Sequence, residues 1–162
     1  MKPETAEPLE IERKFLIAGD AWRAQCTGPG RRIAQGYLCT SPEKSVRVRL
    51  SGDDGTLTVK GSRTGITRLE FQYSIPAAHA ARLLELCELP PIDKTRHIVH
   101  HAGMKWEIDV FHGENDGLLI AEVELEREDQ PLEIPGWAGA EVSDDPRYYN
   151  SSLARHPFKS WA

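Results

Sequence analysis

Cysteine is scarce in this chain: Cys26, Cys39 and Cys87 are the three among 162 residues, widely spaced and without a Cys-x-x-Cys pair. An odd, scattered set supports neither a disulfide framework nor a cysteine-ligated zinc site, so free thiols are expected. No apolar run approaches the roughly 20 residues of a membrane span. The opening "MKPETAEPLE" has none of the hydrophobic stretch of a secretory signal. The chain therefore reads as cytoplasmic, with no membrane partner. An excess of base is missing too: 20 Lys and Arg against 25 Asp and Glu leave a formal charge of −5, which speaks against a nucleic-acid duplex as partner. There is no internal repeat, no low-complexity tract and no linker that would divide the chain.

What remains is one domain's worth of sequence, long enough to bury about two-thirds of its unfolded surface. Period-2 alternation predicts eight strands, at residues 9–17, 33–39, 45–50, 55–60, 66–75, 94–100, 104–111 and 118–127. Turn-like joints such as "SGDDG" (51–55) and "HGENDG" (112–117) suit hairpins, so neighbouring strands should be antiparallel. Helices are predicted at 20–26, capped by Asp20, at 76–89, and after Asn150 in "NSSLARH". Residues 1–8 read as a disordered tail and 9–162 as the domain.

Along each strand one parity collects charge and the other collects apolar residues. Glu10, Glu12 and Lys14 share a face, as do Arg47 and Arg49, Thr58 and Lys60, and Arg68, Glu70 and Gln72. Further along, Lys94 and Arg96, then Lys105, Glu107 and Asp109, then Glu122, Glu124 and Glu126 repeat the pattern. The alternate positions hold Ile11, Phe15, Val48, Leu57, Phe71, Trp106, Ile108 and Val123. A solvated outer face also alternates, but it mixes charges as cross-strand pairs. Here the first and last strands are acidic, and the strands of Arg47 and Arg49, Lys60, Arg68, and Lys94 and Arg96 are basic. A mainly β fold is expected; if its eight antiparallel strands curl into a closed β-barrel, with a few flanking helices outside, the charged parity lies in the lumen and the apolar parity outward, and the segregation by sign suggests a site there. Unpaired buried charges are costly, so such a lumen must hold water, metal and an anion. Arginine forks match phosphate oxygens, and clustered carboxylates suit Mg²⁺ or Mn²⁺.

The ordered motifs "EIERK" (10–14), "GYL" (36–38), "VRVRL" (46–50), "TVK" (58–60), "RLEFQ" (68–72), "KTR" (94–96), "WEIDVF" (106–111), "AEVELE" (121–126) and "WAGAEVSDDPRYYNSSLA" (137–154) resemble the CYTH, or triphosphate tunnel metalloenzyme, superfamily. The resemblance spans residues 9–158 and is greatest to the short, single-domain bacterial members. It implies an antiparallel tunnel. Members hydrolyse inorganic tripolyphosphate, thiamine triphosphate, nucleoside triphosphates or RNA 5′-triphosphate ends, and some cyclise ATP to cyclic AMP. Carried over by residue, it implies Glu10, Glu12, Glu122 and Glu124 as ligands of Mg²⁺ or Mn²⁺. Lys14, Arg47, Arg49, Lys60, Lys94 and Arg96 would grip a triphosphate, with Arg68 as a further contact. Tyr37 paired with Lys60 is the candidate water activator. The chain departs from the family pattern at Gln72, where a second acid commonly follows Glu70 on that strand.

The resulting expectation is a metal-dependent inorganic tripolyphosphatase acting on a small-molecule substrate, as a monomer or homodimer. Its rivals are a class IV-type adenylate cyclase or a thiamine or nucleoside triphosphatase in the same tunnel, and a non-catalytic polyphosphate- or nucleotide-binding module. Asp109 and Asp145 either assist the metal or balance arginine charge, with balance preferred for Asp109. His97, His100 and His101 fall on mixed parities and read as surface or packing, and Trp22, Trp106, Trp137 and Trp161 as core anchors.

Overall fold

Alternating sequence becomes strand in each of the eight predicted places. A computed structural model describes residues 7–161 and orders them as β1 (Leu9–Ile17), β2 (Arg31–Thr40), β3 (Lys44–Ser51), β4 (Asp54–Gly61), β5 (Thr67–Pro76), α1 (Ala77–Glu85), β6 (Ile92–His101), β7 (Met104–Phe111), β8 (Leu119–Glu124), β9 (Ala138–Glu141) and α2 (Asn150–Arg155). The spatial order is β5-β4-β3-β2-β6-β7-β8-β1, and β1 pairs back onto β5 to close the barrel. Residues 9–11 span that seam, after which β1 pairs with β8 on one side and β9 on the other. Ala102 and Gly103, both at positive φ, form the two-residue turn between β6 and β7. Of the predicted tail, residues 1–6 lie outside the described residues, while the Pro8 carbonyl accepts from the Glu70 N–H at 2.7 Å.

Several boundaries differ from the sequence reading. Residues 20–26 contain a 3₁₀ turn over Ala21–Gln25, and Asp20 does not cap it; Asp20 accepts from Arg23 Nε at 3.2 Å instead. Pro76 ends β5 rather than opening α1, which stops at Glu85. The last barrel strand ends at Glu124, and β9, four residues of Ala-Gly-Ala-Glu with no clear alternation, was not predicted. Among the described residues, no helix is long and apolar enough to cross a membrane.

The apolar parity packs outside the barrel, as predicted, over most of its circumference. Phe15, Trp22, Val99, Trp106, Ile108, Ala121, Val123 and Trp137 form one buried cluster against β1, β6, β7 and β8. Trp106 sits at its centre, with ring centroids 5.5 Å from both Phe15 and Trp137. On β2, a Cβ at Gly36 would stand 2.6 Å from the Cys87 Sγ, so glycine there lets the end of α1 come down onto the sheet. On β5 the outward Leu69, Phe71 and Tyr73 stay exposed among the described residues, so the expected cover is missing there.

A second cluster lies on the charged parity. Ile92, Phe111 and Ile120 stand two residues before Lys94, two after Asp109 and two before Glu122, and they pack with Leu118 and with Leu153 of α2. Toward α2, then, the lumen turns apolar and is closed by that helix.

Candidate active site

Strand register sets the charged side chains against one another. Across the β1–β8 ladder Glu12 faces Glu124 and Lys14 faces Glu122; across the seam Glu10 faces Arg68. On the basic side Tyr37 faces Arg47, and Lys60 faces Ser45 and Glu70. All twelve residues picked from the sequence line one cavity of about 470 Å³. A second cavity of about 600 Å³ shares Arg49, Gln72, Arg96 and Glu107 with it, so the two abut at those side chains.

The carboxylates and cations of β1, β4, β5 and β8 are matched in pairs. Lys60 Nζ donates to both oxygens of Glu10 at 2.8 Å and lies 3.0 Å from Glu70. Arg68 Nε donates to Glu10 at 3.1 Å. Burial alone would raise the Glu10 carboxyl, but Lys60 and Arg68 outweigh it and bring it down to about 2. Lys14 Nζ donates to Glu122 at 2.9 Å and lies 3.3 Å from Glu12. Glu12 nevertheless is pushed up to about 7, by burial first and by the neighbouring Glu122 charge second.

Deeper in the lumen Asp109 takes two cations, Lys94 at 2.7 Å and Arg96 through Nε at 2.7 Å and Nη2 at 2.8 Å. This is the charge-balancing role preferred for it. Arg96 also reaches Glu107 and, at 3.2 Å, Glu122. Lys94 is only 1% exposed. Burial draws its ammonium down to about 7 despite Asp109. Asp145, by contrast, accepts from Arg147 at 2.6 Å, outside this network.

Arg47 and Arg49 are matched differently. Among the described residues neither lies within ion-pair distance of a carboxylate: Arg47 donates to Thr58 Oγ1 at 3.3 Å, and Arg49 to Gln35 Oε1 at 3.0 and 3.2 Å. Burial, with Arg47 and Arg96 as like charges, lowers Arg49 to about 10, still fully protonated at neutral pH. The Tyr37 hydroxyl takes no hydrogen-bond partner among the described residues, and Lys60 is held by Glu10 and Glu70 rather than by Tyr37, so the expected Tyr37–Lys60 pair is not formed. Sequence reasoning missed Gln35 and Asn150, whose amides are buried in the same lumen. Gln35 shares the parity of Tyr37, two residues on, which is the signal that was available.

The family model described as CYTH domain matches residues 8–152, nearly the whole chain. The chain belongs to the CYTH domain family. Among its CYTH relatives is the inorganic triphosphatase of Acetivibrio thermocellus, 49% identical over 153 residues that cover 94% of this chain and 97% of that protein. The inorganic triphosphatase of Nitrosomonas europaea is 37% identical over 150 residues, covering 90% and 96%. A solved inorganic triphosphatase structure superposes with a TM-score of 0.63 at 33% identity, covering 90% of this chain and 93% of that one. A conserved hypothetical protein from Pyrococcus furiosus, 16% identical with a TM-score of 0.55 over 74% of this chain and 80% of that one, shares the fold.

CYTH membership implies dependence on a divalent metal ion, and the donor set fits one. Four glutamates supply only oxygen ligands, the kind that hard divalent cations take. Among the described residues, no three carboxylate, histidine or cysteine side chains are gathered into a ready cage. The glutamates instead lean on Lys14, Lys60, Arg68 and Arg96. That suits Mg²⁺-type binding, in which one or two carboxylates act together with substrate phosphates.

Proposed function

We propose that this CYTH protein hydrolyses inorganic tripolyphosphate with Mg²⁺ or Mn²⁺, acting in the cytoplasm on a small soluble anion. The observation that supports this most is the meeting of the β1 and β8 glutamates with seven lysines and arginines in one cavity. Either set alone would bind a metal or an anion; together they suit a metal-bridged polyphosphate.

Glu10, Glu12, Glu122 and Glu124 would hold the metal, which when bound supplies Lewis-acid polarisation of the phosphoryl oxygens. With substrate and metal bound, Lys14, Lys60, Arg68 and Arg96 would exchange glutamate for phosphate oxygens, and the glutamates so released would hold the metal. Arg47 and Arg49 offer planar forks with no carboxylate to give up, and Lys94 adds a compact charge at the closed end. Fixed cations around the transferring phosphoryl group stabilise charge as it spreads over the equatorial oxygens. Water attacks a terminal phosphorus, the bridging P–O bond breaks, and pyrophosphate leaves. Tyr37, with its hydroxyl open to the cavity, accepts a hydrogen bond from that water and orients it, the water's proton passing to a phosphate oxygen, while Lys60 holds the phosphate under attack.

Purified protein given tripolyphosphate, ATP and thiamine triphosphate with Mg²⁺ or Mn²⁺ tests this reading. Phosphate from tripolyphosphate, abolished by chelation and restored by either ion, is the expected result. Cyclic AMP from ATP, or tight binding without turnover, would overturn it. In the same assay Tyr37→Phe should lower kcat at least tenfold with KM and metal affinity near wild type; an unchanged kcat removes Tyr37 from the chemistry.

A further inference from the structure

We propose that Gln35 and Asn150 are positioning residues that aim Arg49 and Lys94 at the triphosphate through uncharged acceptors. This rests on the triphosphatase reading above and adds to it a part played by α2.

Four side chains form one unbroken chain of hydrogen bonds. Arg49 donates through Nη2 and Nε to Gln35 Oε1 at 3.0 and 3.2 Å. Gln35 Nε2 donates to Asn150 Oδ1 at 3.0 Å. Lys94 Nζ donates to that same oxygen at 3.0 Å. Gln35 is fully buried and Asn150 is 9% exposed, so neither amide has bulk water as an alternative partner. The amide orientations are dictated by the ends of the chain. Guanidinium and ammonium groups only donate, so the Gln35 oxygen must face Arg49, its NH₂ must face Asn150, and the Asn150 oxygen must serve both neighbours.

The choice of amides is informative because carboxylates would satisfy the same donors with stronger, charge-assisted bonds. Carboxylates are what the lumen uses for Lys14, Lys60, Arg68 and Arg96. At Arg49 and on the α2 side of Lys94 it uses neutral oxygens, and at Arg47 a threonine hydroxyl. Neutral acceptors fix the direction of a cation without cancelling its charge. This wall of the tunnel thus keeps positive charge in reserve for the incoming anion. Asn150 opens α2, so the helix that closes the lumen also sets the Lys94 ammonium.

Asn150→Asp tests the inference, because it keeps the acceptor that Lys94 and Gln35 share and adds charge; Gln35→Glu keeps the acceptor toward Arg49 but gives up the N–H donated to Asn150 Oδ1. Both are compared with wild type for phosphate release from tripolyphosphate with Mg²⁺ and for thermal unfolding. For Asn150→Asp the expected result is a melting temperature near or above wild type; both variants should raise KM roughly ten- to hundredfold, the scale of one hydrogen bond to a charged group, with kcat changed much less. Asn150→Ala, which loses the acceptor outright, should also raise KM and keeps the test open if an isosteric variant fails to fold. Folded variants with KM within about twofold of wild type would overturn the positioning role and leave the amides structural. If the wild-type protein releases no phosphate, the activity reading fails by itself. Calorimetric binding of tripolyphosphate then decides: weaker binding by the two acidic variants supports positioning, and equal affinities overturn it.

Discussion

Glu12 and Glu124 stand directly opposite one another across the β1–β8 ladder, two acids at a position where a sheet ordinarily sets opposite charges. Burial first and the neighbouring Glu122 charge second push the Glu12 carboxyl up to about 7. The crowding disfavours the empty fold and favours an oxygen-seeking cation.

Glu12→Gln should therefore separate folding from function. Removing a repelled carboxylate leaves the melting temperature unchanged or slightly raised, while metal-supported phosphate release falls about a hundredfold or more. Thermal unfolding and a Mg²⁺ titration of the initial rate read the two effects. A variant with wild-type turnover at ordinary Mg²⁺ would take Glu12 out of the metal site.

Arg49→Lys keeps the charge and loses the fork. The lysine ammonium cannot meet both Gln35 and a phosphate in the planar two-point manner of a guanidinium. KM for tripolyphosphate should rise about tenfold with a smaller change in kcat. Steady-state kinetics at fixed ionic strength decide it, and a KM equal to wild type would show that only the charge matters there.

Lys94 gives the pH signature. Its ammonium faces Asp109 on β7, Glu122 on β8, Arg96 on its own strand, Arg49 on β3 and the uncharged Asn150 of α2. Burial brings it down to about 7, so at pH 8 much of the ligand-free protein carries the neutral amine. An arriving polyanion favours the charged form and draws the proton back. Tripolyphosphate binding at pH 8 should thus take up more protons in wild type than in Lys94→Met, and the difference should fade below pH 6. Calorimetry in two buffers of different ionisation enthalpy measures it; equal uptake by both proteins would contradict the assignment.

Trp106→Ala should be the costliest of these changes to the fold. The indole is fully buried between Phe15 and Trp137, and truncation leaves a cavity worth about 3–5 kcal/mol. For a domain of this size that lowers the melting temperature by roughly 6–20 °C. Differential scanning calorimetry checks it, and a shift under about 3 °C would mean that the outer cluster collapses to fill the space.

The barrel and its charged lining were legible because both follow from period-2 patterning: Glu10, Glu12 and Lys14 could share a face only in a strand. Sign segregation then distinguished an inward face from a solvated one. What alternation could not reveal is where a face changes character along its length. Leu16, Ile92, Phe111 and Ile120 continue the charged parity as apolar residues, because α2 arrives from the far end of the chain to cover them. Asn150 read as a helix start, and in the structure its side chain serves Lys94 and Gln35 rather than the helix backbone. β9 was invisible for a related reason: three small residues and Glu141 become a strand only because β1 offers them an edge. Leu69, Phe71 and Tyr73 alternate as faithfully as any covered residues, yet among the described residues no element folds over them. Tyr37 reached the cavity as predicted, but the carboxylates that claim Lys60 come from β1 and β5, a tertiary pairing no local motif encodes.

β1 touches three other strands, meeting β5 at its start and both β8 and β9 farther on. Its pairing with β5 closes the ring, and it is also the stave that brings Glu10, Glu12 and Lys14. Closing the cask and assembling the reaction centre are consequently a single event. A partly opened form that frees this stave would lose its chemistry before it loses much of its sheet, so catalytic competence should report on ring closure more sensitively than strand content does.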